Sequence, residues 1–224
     1  MIDKFVTTVA EAVAGVKDGS TVMIGGFGVG QPVHLIEGLI EQGAQDLTVV
    51  ANNAGIGRSG LARLLELRRV RKIVCSFPRT ADPVVFDELY KKGQIELELV
   101  PQGTLAERIR AGGAGVGGFY TATAFGTKLA EGKETREIDG RNYVFERALH
   151  ADVSLIEAWQ GDRWGNLTYR DAGRNFNPVM ATAAHLTVAQ VQHKAALGAL
   201  EPNAIVTAGI FVNRVVCVPY GDPN

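Results

Sequence analysis

The fold class is clearest in the segment Val100-Pro101-Gln102-Gly103-Thr104-Leu105-Ala106-Glu107-Arg108-Ile109-Arg110-Ala111-Gly112-Gly113-Ala114-Gly115. A strand predicted over 96–100 ends at Val100, the first residue of this segment. The polar turn Pro101-Gln102-Gly103 follows, and a helix is predicted over 105–110. The helix runs out into glycines, which permit tight backbone geometry. A strand, a polar turn and a helix in this order are typical of an α/β protein. Such a turn is also a place where ligands bind.

The same order of strand, loop and helix recurs along the chain. Apolar runs predict further strands at 21–24, 47–50, 72–75, 153–158, 186–191 and 212–218. Further helices are predicted at 8–16, 32–40, 61–67, 86–91 and 175–184. Residues 136–145 differ, because Asp139-Gly140 is typical of a two-residue hairpin turn. The sequence therefore predicts a single α/β domain over residues 1–224: an open, mostly parallel sheet with helices on both faces and a small hairpin insertion.

Composition excludes several classes of function. Twenty-three basic residues against twenty-four acidic ones give a net charge of −1, which offers no field for holding nucleic acid. No stretch is long enough to span a bilayer, and the N-terminus lacks the pattern of a signal peptide. Cys75 and Cys217 lie far apart in apolar surroundings, which favours buried free thiols in a reducing compartment. We therefore expect a cytoplasmic protein that binds neither nucleic acid nor membrane.

Three loops at strand ends carry the candidate site. The first, Gly25-Gly26-Phe27-Gly28-Val29-Gly30, has lightly shielded backbone N–H groups, so it is suited to a phosphate or a thioester-bearing chain, or is equally well a plain turn. The other two hold Asn52 and Gln102, whose amides can donate to a developing oxyanion but cannot act as base or nucleophile. Taken singly, each is more often a structural residue. Because parallel strands share one carboxyl edge, we expect the three loops to converge.

Other chemistries lack their motifs. The glycine loop continues with Gln31-Pro32 where a phosphate loop needs Lys, and Asn52-Asn53 stands where a dinucleotide site needs an acidic residue. The four histidines are scattered and the sequence contains no CxxC, HExxH or GxSxG, so no metal site is predicted and thiol and triad mechanisms are disfavoured. Glu107 is a possible carboxylate catalyst, but its spacing from Arg110 favours a solvated ion pair on a helix.

Several separated segments also resemble a known family. They are 25–28, 51–55, 101–115, 126–127, 131–133, 161–167 and 172–178. In this order, within residues 22–216, they resemble the A subunit of the two-subunit, family I coenzyme A transferases, which implies a CoA-transferase-like fold. Segments 75–79 and 161–169 are most similar to the A subunits of 3-oxoadipate (beta-ketoadipate) CoA-transferases, which move CoA from succinyl-CoA to 3-oxoadipate. Arg79 is then a candidate for reading the second carboxylate of that acid.

The resemblance implies a ping-pong mechanism and a role for each loop. A glutamate attacks the acyl-CoA thioester to give an acyl anhydride and then a glutamyl-CoA thioester, which the acceptor acid resolves. Asn52 and Gln102 match the family's oxyanion donors. The loop that lies against CoA and substrate is matched by Gly25, Gly26, Phe27, Gly28, Val29 and Gly30. Coenzyme A thioesters are substrates in this scheme, and no permanently bound cofactor is implied.

The resemblance also implies a second subunit. The family's nucleophile belongs to a Ser-Glu-Asn-Gly motif in the B half, and no Glu-Asn pair occurs in these 224 residues. We therefore expect the chain to be inactive alone and active with a B subunit that carries the glutamate, as an αβ unit or an α2β2 assembly. The chain departs from the family in a glycine loop one residue shorter before Pro32, which bears on the matches at Val29 and Gly30.

Three alternatives stay open at this point. The acceptor is 3-oxoadipate, or else acetoacetate or another short 3-oxo acid. A sugar-phosphate-binding domain of related fold would use the glycine loop for phosphate and would need a self-contained acid/base pair, which the sequence does not show. A non-catalytic scaffold subunit would hold a partner without touching substrate.

Overall fold

The structure, a computed structural model, describes residues 2–218. The strands are β1 Phe5–Val6, β2 Thr21–Ile24, β3 Leu47–Val50, β4 Val70–Cys75, β5 Glu96–Leu99, β6 Gly118–Thr121, β7 Thr135–Ile138, β8 Arg141–Arg147, β9 Ala151–Gly161, β10 Leu167–Thr168, β11 Ala184–Lys194 and β12 Arg214–Cys217. The α-helices are α1 Val9–Val13, α2 Val33–Gln42, α3 Gly60–Glu66, α4 Val84–Lys91, α5 Gln102–Gly113 and α6 Asn177–Ala181. Across these residues, none of the helices combines the length and the apolar character needed to cross a bilayer.

One large sheet organises the chain. Its strands lie in the order β1-β12-β11-β9-β2-β3-β4-β5, all parallel, and β10 pairs antiparallel with the end of β9. The chain builds outward from β2 to β5 and later in the opposite direction from β9 to β12. The strand order therefore reverses between β2 and β9, where Ile24 lies opposite Leu155. In open parallel sheets a ligand crevice forms at such a switch point, beyond the carboxyl ends of the strands.

Apolar side chains alternate between the two faces of this sheet. In β2, Val22 and Ile24 pack on the face covered by α1, α2, α3 and α4, whereas Met23 packs with α5 and α6 on the other face. Both faces are buried, which explains why the strands read as nearly continuous apolar runs. The predicted open, mostly parallel sheet with helices on both faces is confirmed.

The predicted insertion is a separate antiparallel sheet with the order β6-β8-β7. Asp139 and Gly140 join β7 to β8 with φ angles of 51° and 73°, and positive φ at both positions is what a type I′ turn requires. The hairpin is confirmed, with one strand more than expected, because β6 pairs with the other edge of β8. The small sheet contacts α5.

Several predicted boundaries are wrong. Helix α5 begins at Gln102, so the expected turn Pro101-Gln102-Gly103 is in fact the start of the helix, with Pro101 in the N-cap position. The helix expected at 175–184 is shorter, because α6 covers only Asn177–Ala181, and a 3-10 turn at Asp171–Arg174 precedes it. Strands β1 and β10 are missed by the sequence patterns, because two residues are too few to show a period.

The two cysteines differ in burial. Cys75, at the end of β4, is fully buried, and burial raises the pKa of its thiol to about 12. Cys217 is only partly buried, so the expectation of two buried thiols is wrong for this residue. Both cysteines are free thiols.

Candidate active site

Loops from four neighbouring strands meet in a cleft beyond the carboxyl edge of the sheet. This cleft, called here the amide cleft, has a volume of about 490 Å³. It is lined by Phe27, Gly28, Asn52, Asn53, Ile56, Ser76, Phe77, Thr80, Ala81 and Gln102. The expected convergence of the three loops is therefore observed. Among the described residues that line the cleft, none carries a charge.

Asn52 is fixed in this cleft by its side-chain oxygen. It follows β3 and is 3% exposed. Its Oδ1 accepts one hydrogen bond from Gln102 Nε2 at 2.9 Å and another from Ser76 Oγ at 2.9 Å. No described residue accepts from Nδ2 of Asn52. This arrangement orients the side chain so that its N–H donors are left for a group in the cleft.

Gln102 adds both a side chain and a helix start. It is the first residue of α5, and the N–H groups of a first helical turn have no acceptor within their helix. The helix dipole places partial positive charge at the same point. Gln102 Nε2 has a second hydrogen besides the one donated to Asn52. The cleft thus gathers amide donors and positive potential without a formal charge.

The glycine loop separates this cleft from a second one. Phe27 N donates to Val29 O at 3.0 Å, which closes a tight turn, and the N–H group of Gly28 has no acceptor among the described residues. Phe27 and Gly28 line the amide cleft, whereas Val29 and Gly30 line the second cleft. The loop therefore does not face a single site, because different residues of it line different clefts.

The first two glycines of the loop lie beneath it. Gly25 and Gly26 are buried and line neither cleft. Gly25 N donates to Leu155 O at 2.9 Å, and Gly26 N donates to Asn175 Oδ1 at 3.1 Å. Their expected role against CoA stays a prediction, and in this structure both glycines support the loop from beneath. The reason is that both face the switch point, where β2 meets β9.

The second cleft, of about 480 Å³, is lined by two carboxyl groups, those of Glu157 and Asp171. Burial raises the pKa of Glu157, a residue of β9, and its Oε1 accepts a hydrogen bond from Gln192 Nε2 at 3.1 Å. The Arg170 guanidinium lies 4.7 Å from the centre of the Trp159 ring on the same wall. Glu157 lines only this cleft, and the glycine loop lies between it and the amides of the first.

Two charged residues suggested by the sequence lie outside both clefts. On α5, the Arg110 guanidinium lies 2.6 Å from Glu107 and its hydrogen bond lowers the pKa of that carboxyl, so the solvated ion pair is confirmed. Arg79 Nε donates to Asp87 Oδ1 of α4 at 2.7 Å. Thr80, its neighbour, lines the amide cleft in its place.

A family model described as coenzyme A transferase matches residues 6–218. The chain belongs to the coenzyme A transferase family. It is 62% identical over 219 residues to the A subunit of 3-oxoadipate CoA-transferase from Pseudomonas putida, covering 97% of this chain and 95% of that one. It is 58% identical to the protein of the same name from Acinetobacter baylyi, covering 97% and 96% of the two chains. The expected resemblance to A subunits, and the expected class of enzyme, are confirmed.

Solved structures of CoA transferases share the fold. The glutaconate coenzyme A-transferase of Acidaminococcus fermentans superposes with a TM-score of 0.85 at 19% identity, covering 97% of this chain and 76% of that one. An acyl-CoA transferase from E. coli O157:H7, in a thioester complex with CoA, gives a TM-score of 0.82 at 21% identity. This chain is covered to 97% but spans only 47% of the E. coli chain. The predicted CoA-transferase-like fold is confirmed.

In this CoA transferase chain, sequence reasoning missed three residues next to the glycine loop. Glu157 carried a signal, because it is the one charged residue in the apolar run 153–158. Asn175 and Asn177 flank Phe176 at the start of α6 and bond the loop through their side chains. Their segment stood out in the sequence only through the family resemblance, because nothing local shows that they meet a loop about 150 residues earlier.

Proposed function

We propose that the chain is the A subunit of a two-subunit enzyme that moves CoA from succinyl-CoA to a 3-oxo acid, with 3-oxoadipate as the acceptor. The observation that carries the proposal is the Asn52 and Gln102 amide pair in a cleft whose described lining includes no charged side chain. Such a site can donate hydrogen bonds to an oxyanion but contains no group that attacks a thioester. The relatives named as A subunits of 3-oxoadipate CoA-transferase support the choice of acceptor.

The chemistry that fits these donors is acyl transfer through a glutamate. The carboxylate attacks the thioester carbonyl and expels the CoA thiolate, which leaves an acyl anhydride. The thiolate then attacks the glutamyl carbonyl and releases the first acid, so that CoA is held as a glutamyl thioester. The acceptor carboxylate and the thiolate repeat these two steps in reverse. Each step passes through a tetrahedral oxyanion, which Asn52 Nδ2 and the second hydrogen of Gln102 Nε2 would stabilise.

A partner has to supply the attacking carboxylate in this scheme. No Asp or Glu is among the described residues lining the amide cleft, Glu157 lies behind the glycine loop, and Glu107 is paired with Arg110. Phe27 and Phe77 at the cleft rim are 52% and 60% exposed, and exposed aromatic side chains around a cleft favour a covering protein surface. We assign that surface to a B subunit carrying the glutamate, in an α2β2 assembly.

The acceptor has one serious rival. Acetoacetate and other short 3-oxo acids lack the second carboxylate of 3-oxoadipate, and the described lining of the amide cleft holds no cationic side chain to bind one. A relative from Bacillus subtilis, named as the A subunit of a probable succinyl-CoA:3-ketoacid coenzyme A transferase, is 46% identical over 95% of this chain. If 3-oxoadipate is the acceptor, its second carboxylate needs a cationic side chain. That side chain is either Arg79, released from Asp87, or a residue of the B subunit.

Turnover by the chain co-expressed with its B subunit tests both points. With 3-oxoadipate and acetoacetate as competing acceptors, a higher kcat/KM for 3-oxoadipate is expected, and turnover of acetoacetate alone would overturn the assignment. The Gln102→Ala variant should lose about 100-fold in kcat with the complex intact. Asn203→Ala is the matched control, because within residues 2–218 the Asn203 side chain bonds Glu201 alone, on the surface. Equal turnover by both variants would favour a scaffold.

The remaining parts of the proposal concern setting and organisation. Coenzyme A thioesters act as substrates without a permanently bound cofactor, and the buried free thiol of Cys75 supports a reducing, cytoplasmic setting. Residues 1–224 are proposed to act as one domain. The support is that β1 near the start pairs with β12 near the end, with Phe5 opposite Val215, so both ends belong to the same sheet.

A further inference from the structure

Two asparagines hold the glycine loop from the other half of the sheet. Asn175 Oδ1 accepts a hydrogen bond from Gly26 N at 3.1 Å, and its Nδ2 donates to Val29 O at 3.0 Å. Asn177 Nδ2 donates to Gly30 O at 2.9 Å. The loop is thus bonded at its second, fifth and sixth residues, on both sides of Gly28.

The asparagines are themselves held in place. Asn177 is fully buried, and its Oδ1 accepts from the backbone N of Glu157 at 3.0 Å while its Nδ2 also donates to Gly173 O at 2.8 Å. Asn175 Nδ2 donates in addition to Ala172 O at 2.9 Å. The two amides therefore connect the loop to β9 and to the turn before α6, and an amide bonded at both ends has one orientation.

Two glycines of the loop, Gly25 and Gly30, are required by this contact. A Cβ at Gly25 would lie 1.8 Å from Asn177 Oδ1, and a Cβ at Gly30 would lie 2.4 Å from Gly173 O. Real Cβ atoms do not approach so closely, so any other residue at Gly25 or Gly30 would displace the segment 173–177, which holds Asn175 and Asn177. The close approach of segment 173–177 explains why glycine is needed at these two positions better than a direct contact with a ligand does.

We propose that Asn175 and Asn177 are positioning residues of the transfer reaction, which hold the glycine loop as a fixed wall between the two clefts. This inference rests on the proposed acyl transfer at the amide cleft. The clamp formed by Asn175 and Asn177 keeps Phe27 and Gly28 in the lining of the amide cleft together with Asn52, and it leaves the N–H group of Gly28 without an acceptor among the described residues. A loop placed in advance costs no reorganisation when charge develops, so the clamp acts on the transition state more than on substrate binding.

The test is the Asn175→Gly variant in the complex with the B subunit. Glycine accepts the positive φ of 20° at this position, so the change removes the side-chain bonds without backbone strain. We expect kcat to fall about 10- to 100-fold, with KM for succinyl-CoA within about threefold of the wild type. Amide hydrogen exchange of the peptide spanning the loop should become faster. Asn175→Asp keeps the acceptor for Gly26 N but replaces the donor to Val29 O with an acceptor oxygen, so it should lose kcat as well.

The control is Asn213→Ala. Asn213 Oδ1 also accepts a backbone hydrogen bond, from Thr187 N at 2.7 Å, but touches no part of the loop. Equal losses of kcat in this variant and in Asn175→Gly would overturn the clamp, as would an unchanged exchange rate in the loop. If Asn175→Gly does not fold, Asn177→Asp keeps the acceptor for Glu157 N and loses the donors to Gly30 O and Gly173 O, and the same readouts apply. Hydrogen exchange decides the clamp even where the wild-type complex transfers no CoA, a result that contradicts only the proposed function.

Discussion

Asn52 shows how a single buried side chain becomes a directed donor. Two hydrogen bonds, from Gln102 and Ser76, occupy its Oδ1, so its Nδ2 is the part of the amide left for a ligand. Neither neighbour carries a charge. The field at the cleft therefore comes from oriented dipoles, which stabilise an oxyanion without first attracting a competing anion strongly.

An Asn52→Asp variant tests this orientation. The carboxylate is almost the same shape and can accept the bonds from Gln102 and Ser76, but it places an acceptor oxygen where the donor was. We expect kcat of the complex to fall about 100- to 1,000-fold with little change in thermal stability. Ser76→Ala is the matched control, with a loss below about tenfold because Gln102 still holds Asn52 Oδ1. Steady-state kinetics that rank the two variants equally would contradict the orientation.

Glu157 has a different consequence, for stability. Burial raises the pKa of its carboxyl in the folded chain above the unfolded value, so the folded state favours the protonated form. Its contribution to stability is complete below the unfolded pKa and is lost as pH rises through the folded pKa. Glu157→Gln, which keeps a neutral side chain at every pH, should raise Tm near pH 7 by about 1–2 °C and leave it unchanged near pH 4. Scanning calorimetry at the two pH values checks this, and an equal shift at both would be the contrary result.

At the scale of elements, burial decided what the sequence could predict. The strands expected at 21–24 and 47–50 match Thr21–Ile24 and Leu47–Val50 because both faces of the sheet are covered and each strand is an apolar run. Boundaries fixed by capping were harder. Gly103 suggested a turn, yet it lies in the first turn of α5, where few helical hydrogen bonds depend on it.

The position of Gly103 in the first turn of α5 leads to a prediction about the stability of a Gly103→Ala variant. A Cβ at Gly103 would meet nothing within 4 Å, and its φ is not positive, so alanine removes backbone freedom from the unfolded chain at no steric cost. We expect the free energy of unfolding to rise by about 0.5 kcal/mol in urea titration. Gly25→Ala is the opposite case, with a loss of about 1–3 kcal/mol because the new Cβ would overlap Asn177 Oδ1. A higher free energy of unfolding for Gly25→Ala would show that the glycine loop is placed differently. A lower one for Gly103→Ala would show the same for α5.

At the scale of the whole molecule, the site depends on where the two halves of the sheet meet. The sequence predicted that loops after β2, β3 and β5 converge, because parallel strands share a carboxyl edge. It carried no sign that Asn175 and Asn177 would bond the glycine loop, since these contacts span 146 to 149 residues and depend on β9 lying beside β2. Strand order is set by packing of the entire sheet, and no local period encodes it.

The last prediction concerns the proposed sharing of the active site between two chains, with the amide donors on this chain and the glutamate on the B subunit. The isolated chain should transfer no CoA, because the cleft that holds its donors has no carboxylate among its described lining residues. Adding a B subunit should restore turnover, with a break in the titration at one B per A chain. After incubation with acyl-CoA, mass spectrometry should find the covalent CoA adduct on a glutamate of B. Within this chain, Glu157 is the other candidate for the attacking carboxylate, because it is half-buried in the cleft that Val29 and Gly30 of the glycine loop also line. A CoA adduct on Glu157, in a chain that turns over alone, would mean that the glycine loop moves and connects the two clefts.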